Sequence, residues 1–310
     1  MRAFIFPGQG SQAVGMGQAI ADASAAAREV FQEVDEALGQ NLFRLMVEGP
    51  ADTLTLTENA QPAIMANAIA TLRVLEREGG MRLADKADYV AGHSLGEYTA
   101  LCAAGALDLT TTAKLLKLRG QAMQAAVPVG EGAMAAILKL DFDAVAKIAA
   151  EAAQGDVCTV ANDNAPGQVV ISGQKAAVER AGELAKAAGG RAMPLPVSAP
   201  FHCPLMHPAA DAMATALASA KLQAPLVPVF ANVTAAPASD PDEIRRLLVE
   251  QVTGTVRWRE SVIAMGDAGV HHYTEFGGKV LGPMIKRITP DAETVSAVSM
   301  NEIEALAKSL

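Results

Sequence analysis

Cysteine, excess positive charge and long apolar runs are all scarce in this 310-residue chain. Its three cysteines, Cys102, Cys158 and Cys203, are odd in number and widely spaced, and no C-x-x-C occurs. That pattern fits neither a disulfide framework nor a zinc site. Lys and Arg number 25 against 34 Asp and Glu, for a formal net charge of −9. Such a balance argues against general nucleic-acid binding, and it requires any anionic substrate to be met by a local basic patch. No apolar run reaches the roughly 18 residues of a membrane span; the stretch from Ala63 to Leu72 is broken by Asn67. The opening Arg2-Ala3-Phe4-Ile5-Phe6 is too short for the apolar core of a secretion signal. The expectation is a cytoplasmic protein that binds neither membrane nor nucleic acid. With 51% hydrophobic and 19% charged residues, the chain can fill one large domain or a large one plus a small one.

Against these absences stands one stretch, Ala87-Asp88-Tyr89-Val90-Ala91-Gly92-His93-Ser94-Leu95-Gly96-Glu97. A short apolar run ends in G-x-S-x-G, and an Ala/Leu-rich helical segment follows, which is the strand–turn–helix context of a nucleophilic serine. On such a strained turn the positions flanking Ser94 must be small, and Gly92 and Gly96 are. The turn lifts the hydroxyl out of the backbone and aims the first N–H groups of the next helix at whatever Ser94 attacks. The plainer alternative is a glycine-bracketed surface turn.

A buried strand is expected over 2–6, followed by the glycine loop Pro7-Gly8-Gln9-Gly10-Ser11-Gln12. The loop lacks the lysine of a P-loop, and no second strand ending in an acid follows as a dinucleotide site requires. It can still present a backbone N–H at the end of the first strand. The segment 61–75 is apolar nearly all round and reads as a buried helix, with Pro62 marking its start. In a helix over 111–125, Arg119 shares the apolar face of Thr112, Leu115, Leu116, Ala122 and Met123. A guanidinium there either snorkels out or finds a partner. From 133 the pattern runs strand, helix, strand, Asn-rich turn (162–167), strand, helix, strand, the βαββαβ order of a ferredoxin-like unit. Pro and Gly bound it, which suggests a small domain over 128–196 inserted into a core formed by 1–127 and 197–310. Strands alternating with helices make the core sheet mostly parallel. The chain re-enters the core through Pro200-Phe201-His202-Cys203-Pro204, where flanking prolines fix the approach of His202. Of five histidines it is the best placed base, because His93, next to Ser94 in sequence, should point elsewhere.

Five blocks in register then resemble the acyltransferases of fatty acid and polyketide synthesis, the malonyl-CoA:acyl carrier protein transacylases and related domains. The blocks are Phe6-Pro7-Gly8-Gln9-Gly10-Ser11-Gln12, Gly92-His93-Ser94-Leu95-Gly96-Glu97, Arg119 in Leu-Arg-Gly, Pro200-Phe201-His202-Cys203, and Glu250-Gln251 ahead of Val256-Arg257-Trp258. They cover almost the whole length. The resemblance implies an α/β-hydrolase-like core with an inserted ferredoxin-like subdomain. It implies Ser94 as the acyl-accepting nucleophile, His202 as its base and Gln251 as the residue whose main-chain carbonyl orients His202. It makes the N–H groups of Gln9 and Leu95 the oxyanion hole, Arg119 the partner of a malonyl carboxylate, and Asn162 and Phe201 substrate-binding residues. Phe-His at 201–202 is similar to malonyl-selecting members. The implied partners are malonyl-CoA and acyl carrier protein, acting on a monomer with no cofactor, because phosphopantetheine is carried by the partner. A related acyltransferase of a polyketide or malonate-decarboxylation pathway is the nearest alternative, and an α/β-hydrolase-type thioesterase a further one. Most acids between Ser94 and His202 fall in the inserted unit or on helix faces expected to meet water, and none sits in a strand-end loop of the core. A carbonyl-oriented dyad is therefore expected, not a triad with an acid.

Overall fold

The computed structural model describes residues 1–310 as a mixed α/β fold with two sheets. Its strands, numbered along the chain, are β1 (Arg2–Phe6), β2 (Tyr89–Gly92), β3 (Gly132–Leu138), β4 (Cys158–Ala165), β5 (Gln168–Gln174), β6 (Arg191–Pro194), β7 (Val229–Ala231), β8 (Ala236–Ala238), β9 (His272–Phe276) and β10 (Glu293–Ala297). The larger sheet has the order β10-β9-β1-β2-β7-β8 and is parallel except for β8, which pairs antiparallel with β7. β1 is central because it is apolar on both faces. Phe4 and Phe6 enter the main core, while Ala3 and Ile5 enter a second core on the opposite face around Trp258 and Tyr273. This is how a strand buried on both sides reads in sequence. The edge strand β8 escaped the sequence reading, since Pro237 in its centre is tolerated only where no ladder bond is needed.

The register places Phe6 beside Gly92. The loops that follow β1, β2 and β7 therefore leave the sheet side by side at its carboxyl edge, where open α/β sheets bind their ligands. Behind that edge runs the helix Thr57–Glu78, buried from Asn59 to Leu72 without a polar stripe. Pro62 lies in its second turn and does not start it. No helix is long and apolar enough to cross a membrane.

The smaller sheet is antiparallel with the order β4-β5-β3-β6. Its strands alternate with period two. Ala135 and Ile137 of β3 pack on helices Phe142–Ala153 and Lys175–Ala187, whereas Met134 turns into the main core. The expected turn over 162–167 is shorter than the composition suggests. Asn162, Asp163 and Asn164 belong to β4, and only Pro166 and Gly167 turn. Two register irregularities let β4 bury these polar residues, and side chains from outside the small sheet pair with Asp163 and Asn164. Val256 donates to the Ala161 carbonyl at 2.8 Å and accepts from the Asp163 N–H at 2.9 Å. Arg259 meets the fully buried Asp163 carboxylate, its Nη2 2.8 Å from Oδ2 and its Nε 3.0 Å from both oxygens. Tertiary context thus overrides the turn propensity of Asn and Asp.

Arg259→Ala would leave the Asp163 carboxylate buried without a cation. It should cost about 3 kcal/mol, read as a lower urea midpoint at unchanged m. A loss below about 1 kcal/mol, the scale of an exposed pair, would show that backbone pairing alone docks the small unit.

Candidate active site

The centre of the site is the turn between β2 and helix Leu95–Ala103. Ser94 adopts φ 54°, ψ −111°, a region strained for any residue but glycine. Backbone packs directly on backbone around it. A Cβ built on Gly92 would fall 1.8 Å from the Gly96 carbonyl oxygen, and one on Gly96 would fall 2.3 Å from the Phe6 oxygen. No side chain fits at either position, which is why the elbow carries glycine at both.

His202 also has a positive φ of 55° and is buried. Its Nε2 lies 2.7 Å from Ser94 Oγ and its Nδ1 2.8 Å from the Gln251 carbonyl oxygen. A carbonyl can only accept, so Nδ1 carries the proton and Nε2 faces the serine as an acceptor. The Gln251 carbonyl is available because its helix ends. The helix runs Pro241–Thr253, and the last carbonyls of any helix lack intrahelical partners. Burial, then the positive charge of Arg119, push the His202 pKa down to about 3, against the stabilising Gln251 carbonyl.

Arg119 resolves the choice between snorkelling and pairing: its side chain is 1% exposed and stays inside. Nη1 donates to Gln61 Oε1 at 2.7 Å, and Nη2 donates to Gln251 Oε1 at 2.9 Å and to Ser94 Oγ at 3.1 Å. The guanidinium also stands over the Tyr98 ring, 5.6 Å from its centroid. Its pKa is lowered, chiefly by burial.

A cavity of about 240 Å³ opens over Ser94, and Gln9, Leu95, Arg119, Asn162, Phe201 and His202 all line it. Gln251 stands behind it. The Leu95 N–H opens its helix and the Gln9 N–H follows β1, and neither donates to a protein acceptor. Thr57 Oγ1 holds the Gln9 side chain through Oε1 at 3.0 Å. His93 also borders this cavity, but its imidazole is turned to Asn164, in line with the expectation that it points elsewhere. It does not reach the serine, because Asn164 Oδ1 holds its Nε2 at 2.7 Å. Cys203 is buried with its Sγ donating to the Pro200 carbonyl, and burial raises its pKa, so it is no rival nucleophile. A larger cleft of about 460 Å³ opens at the other end of helix Leu95–Ala103. It mixes Arg73, Arg77 and Lys221 with Glu29, Glu33 and Asp108 and holds no nucleophile–base pair.

Sequence reasoning missed four polar groups. Gln61 and Asn164 are named above. Asn232, which follows β7, accepts the Ser94 N–H at 2.9 Å and donates to the Gly92 carbonyl at 2.8 Å. Glu97 does not face water but is buried, and its Oε2 accepts from the Asn232 N–H at 3.0 Å and from Gln251 Nε2 at 2.9 Å. Ser94-x-x-Glu97 has the spacing of a capping box, yet the Ser94 side chain caps nothing and turns to His202. The available signal was a polar residue directly after a buried strand, for Asn232.

A family model described as "Acyl transferase domain" matches residues 3–275. The chain is 48% identical over 310 residues to the malonyl CoA-acyl carrier protein transacylase of Escherichia coli (strain K12), covering 99% of this chain and 98% of that one. Among solved structures, an acyl-carrier-protein-S-malonyltransferase from Bartonella henselae superposes with TM-score 0.97 at 52% identity, covering 99% of this chain and 98% of that one. A malonyl-transacylase in complex with a type II PKS acyl-carrier protein superposes with TM-score 0.96 at 40% identity, covering 100% and 99%.

The depressed pKa makes a spectroscopic prediction. With ¹³C at its ring Cε1, His202 should keep the neutral-imidazole shift from about pH 5 to pH 8, since its transition lies near 3 and not at the ordinary ~6.5. A His202 midpoint near 6.5 would show that the ring is solvated and not held as described.

Proposed function

The chain belongs to the acyl transferase domain family, and on that premise we propose that it moves the malonyl group from malonyl-CoA to the phosphopantetheine thiol of acyl carrier protein by a ping-pong Ser–His mechanism. The observation that carries this reading is Arg119. A guanidinium buried 3.1 Å from the nucleophile, with no direct ion pair, is a site for an acyl group that brings its own carboxylate. A lipase or ordinary thioesterase has no use for it.

In the proposed reaction Ser94 Oγ attacks the thioester carbonyl while His202 Nε2 takes its proton. The carbonyl oxygen becomes an oxyanion facing the Gln9 and Leu95 N–H groups, each worth roughly 3 kcal/mol in comparable sites. The C–S bond then breaks, and the CoA sulfur leaves with the proton from His202. The second half repeats these steps in reverse with the carrier thiol, which gives its proton to His202 and takes the acyl group from Ser94. Bonds and protons balance without electron transfer, so the chemistry calls for no cofactor. Asn162 and Phe201, which both line the cavity, are proposed to line the path of the pantetheine arm and the acyl group. The same reading places the enzyme in the cytoplasm. It takes 1–127 and 197–310 as an α/β-hydrolase-like core and 128–196 as a ferredoxin-like subdomain, supported by the strand order of the small sheet and the two helices on one face. A second reading, transfer to a polyketide carrier protein, is favoured by the likeness to the type II PKS complex.

Peptide mapping of enzyme mixed with malonyl-CoA should place a malonyl ester on the peptide holding Ser94. An adduct on Cys203, or one that persists in Ser94→Ala, would overturn the mechanism. Arg119→Ala should cut malonyl loading by roughly 10²-fold or more while sparing acetyl loading; equal loss of both would make Arg119 structural. Offering fatty acid and polyketide carrier proteins to the loaded enzyme separates the two readings by which one is acylated faster.

A further inference from the structure

Gln251 meets the site twice, through two separate groups. Its main-chain carbonyl takes the Nδ1 proton of His202. Its side-chain amide lies between Arg119 and Glu97. Oε1 accepts from Arg119 Nη2 at 2.9 Å, while Nε2 faces Glu97 Oε2 at 2.9 Å, the Ser94 carbonyl at 3.0 Å and Asn232 Oδ1 at 3.1 Å. The chemistry of these neighbours permits one orientation only. A guanidinium offers donors and nothing else, so it must meet the amide oxygen. Carboxyl and carbonyl oxygens accept, so they must meet the amide nitrogen. Rotating the amide by half a turn would set donor against donor and acceptor against acceptor inside a buried site.

We propose that the Gln251 side chain, backed by Glu97, positions Arg119 for the acyl carboxylate, so that Glu97 acts on acyl selection through an amide it fixes in place. This rests on the reading of Arg119 as the carboxylate partner and deepens it. Arg119 has no carboxylate of its own to fix it. Its side-chain partners are the Gln61 and Gln251 amides and the Ser94 hydroxyl, and its buried Nε–H has none, so donors remain for an incoming carboxylate. The two amides hold the fork in place while a carboxylate meets those donors. An amide oxygen suits that task. It fixes the guanidinium without neutralising it, whereas a direct carboxylate would compete with the substrate. Glu97 does the backing work in either charge state. Burial pushes its pKa up to about 7, against the Asn232 N–H, Gln251 and the charge of Arg119. With two N–H groups on Oε2, a proton goes to the other oxygen and leaves Oε2 an acceptor.

The test is a double-mutant cycle read as the ratio of kcat/KM for malonyl-CoA to that for acetyl-CoA. Gln251→Ala keeps the carbonyl that orients His202 and removes only the amide. Its ratio should fall roughly tenfold or more, the scale of one hydrogen bond to a charged group, with the malonyl KM rising. Glu97→Met removes the acceptor at similar volume and should lower the ratio in the same direction. Glu97→Gln, which can set an amide oxygen where Oε2 lies, should restore it. The double variant Glu97→Met/Gln251→Ala should be no worse than Gln251→Ala alone, because Glu97 acts through the group already removed. A ratio unchanged in Gln251→Ala, or additive losses in the double variant, overturns the proposal. If Glu97→Met does not fold, the loss in Gln251→Ala and its absence in Glu97→Gln decide. Failure of the underlying reading looks different: the wild-type ratio would then survive Arg119→Ala.

Discussion

Burying Arg119 beside Ser94 takes a full positive charge out of water, and no carboxylate meets it directly. The rest of the site is arranged around that charge. Amide oxygens of Gln61 and Gln251 and the face of Tyr98 surround it, which fixes the fork and leaves the charge unneutralised. The same charge helps hold His202 neutral, adding to burial in lowering its pKa. One cation thus serves two ends. On the proposed reaction it prepares the site for an anionic acyl group, and it keeps His202 in the form that can take a proton.

A base so disposed against its charged form needs an orienting partner that does not undo the effect. A buried carboxylate on Nδ1 would stabilise the imidazolium and raise the pKa. The Gln251 carbonyl fixes the tautomer and contributes less to the charge. On the proposed reaction that balance fits the substrate. Thioesters are reactive enough to be opened without a triad acid, and an acyl-serine awaiting a thiol is better served by a base that activates water weakly.

Different parts of this arrangement were legible to different degrees. Ser94 stands in a motif whose glycines answer to a local steric demand, so a short window of sequence reveals it. β1 and the helix behind the site are legible from apolar patterning alone. Arg119 is visible as an oddity on an apolar face, but its partners come from 58 and 132 residues away, and no local pattern encodes them. The roles assigned to Gln9, Leu95, Gln251, Asn162 and Phe201 rest on resemblance, because a backbone N–H or carbonyl has no side-chain signature. Glu97 and Asn232 were missed for a related reason. Their partners are backbone groups, one another and the Gln251 amide, assembled only when β2, β7 and helix Pro241–Thr253 meet. The Asn162–Asn164 stretch was misread as a turn because propensity speaks for isolated chains, and here Val256, Arg259 and His93 supply what a turn would have supplied.

That misread stretch connects the small sheet to the base. The helix carrying Gln251 stops at Thr253, and Gly254 is extended at φ −98°, ψ 162°. Beyond it, Thr255 Oγ1 donates to the Val160 carbonyl at 2.7 Å, and Val256 pairs in parallel with β4. One more helical turn would require residue 255 to bond the Gln251 carbonyl, and the extended pairing with β4 forbids it. The docking of the small sheet therefore ends the helix where it does, and the carbonyl left over is the one His202 uses. On this account the small sheet supplies a wall of the cavity through Asn162 and also sets the tautomer of the base from behind.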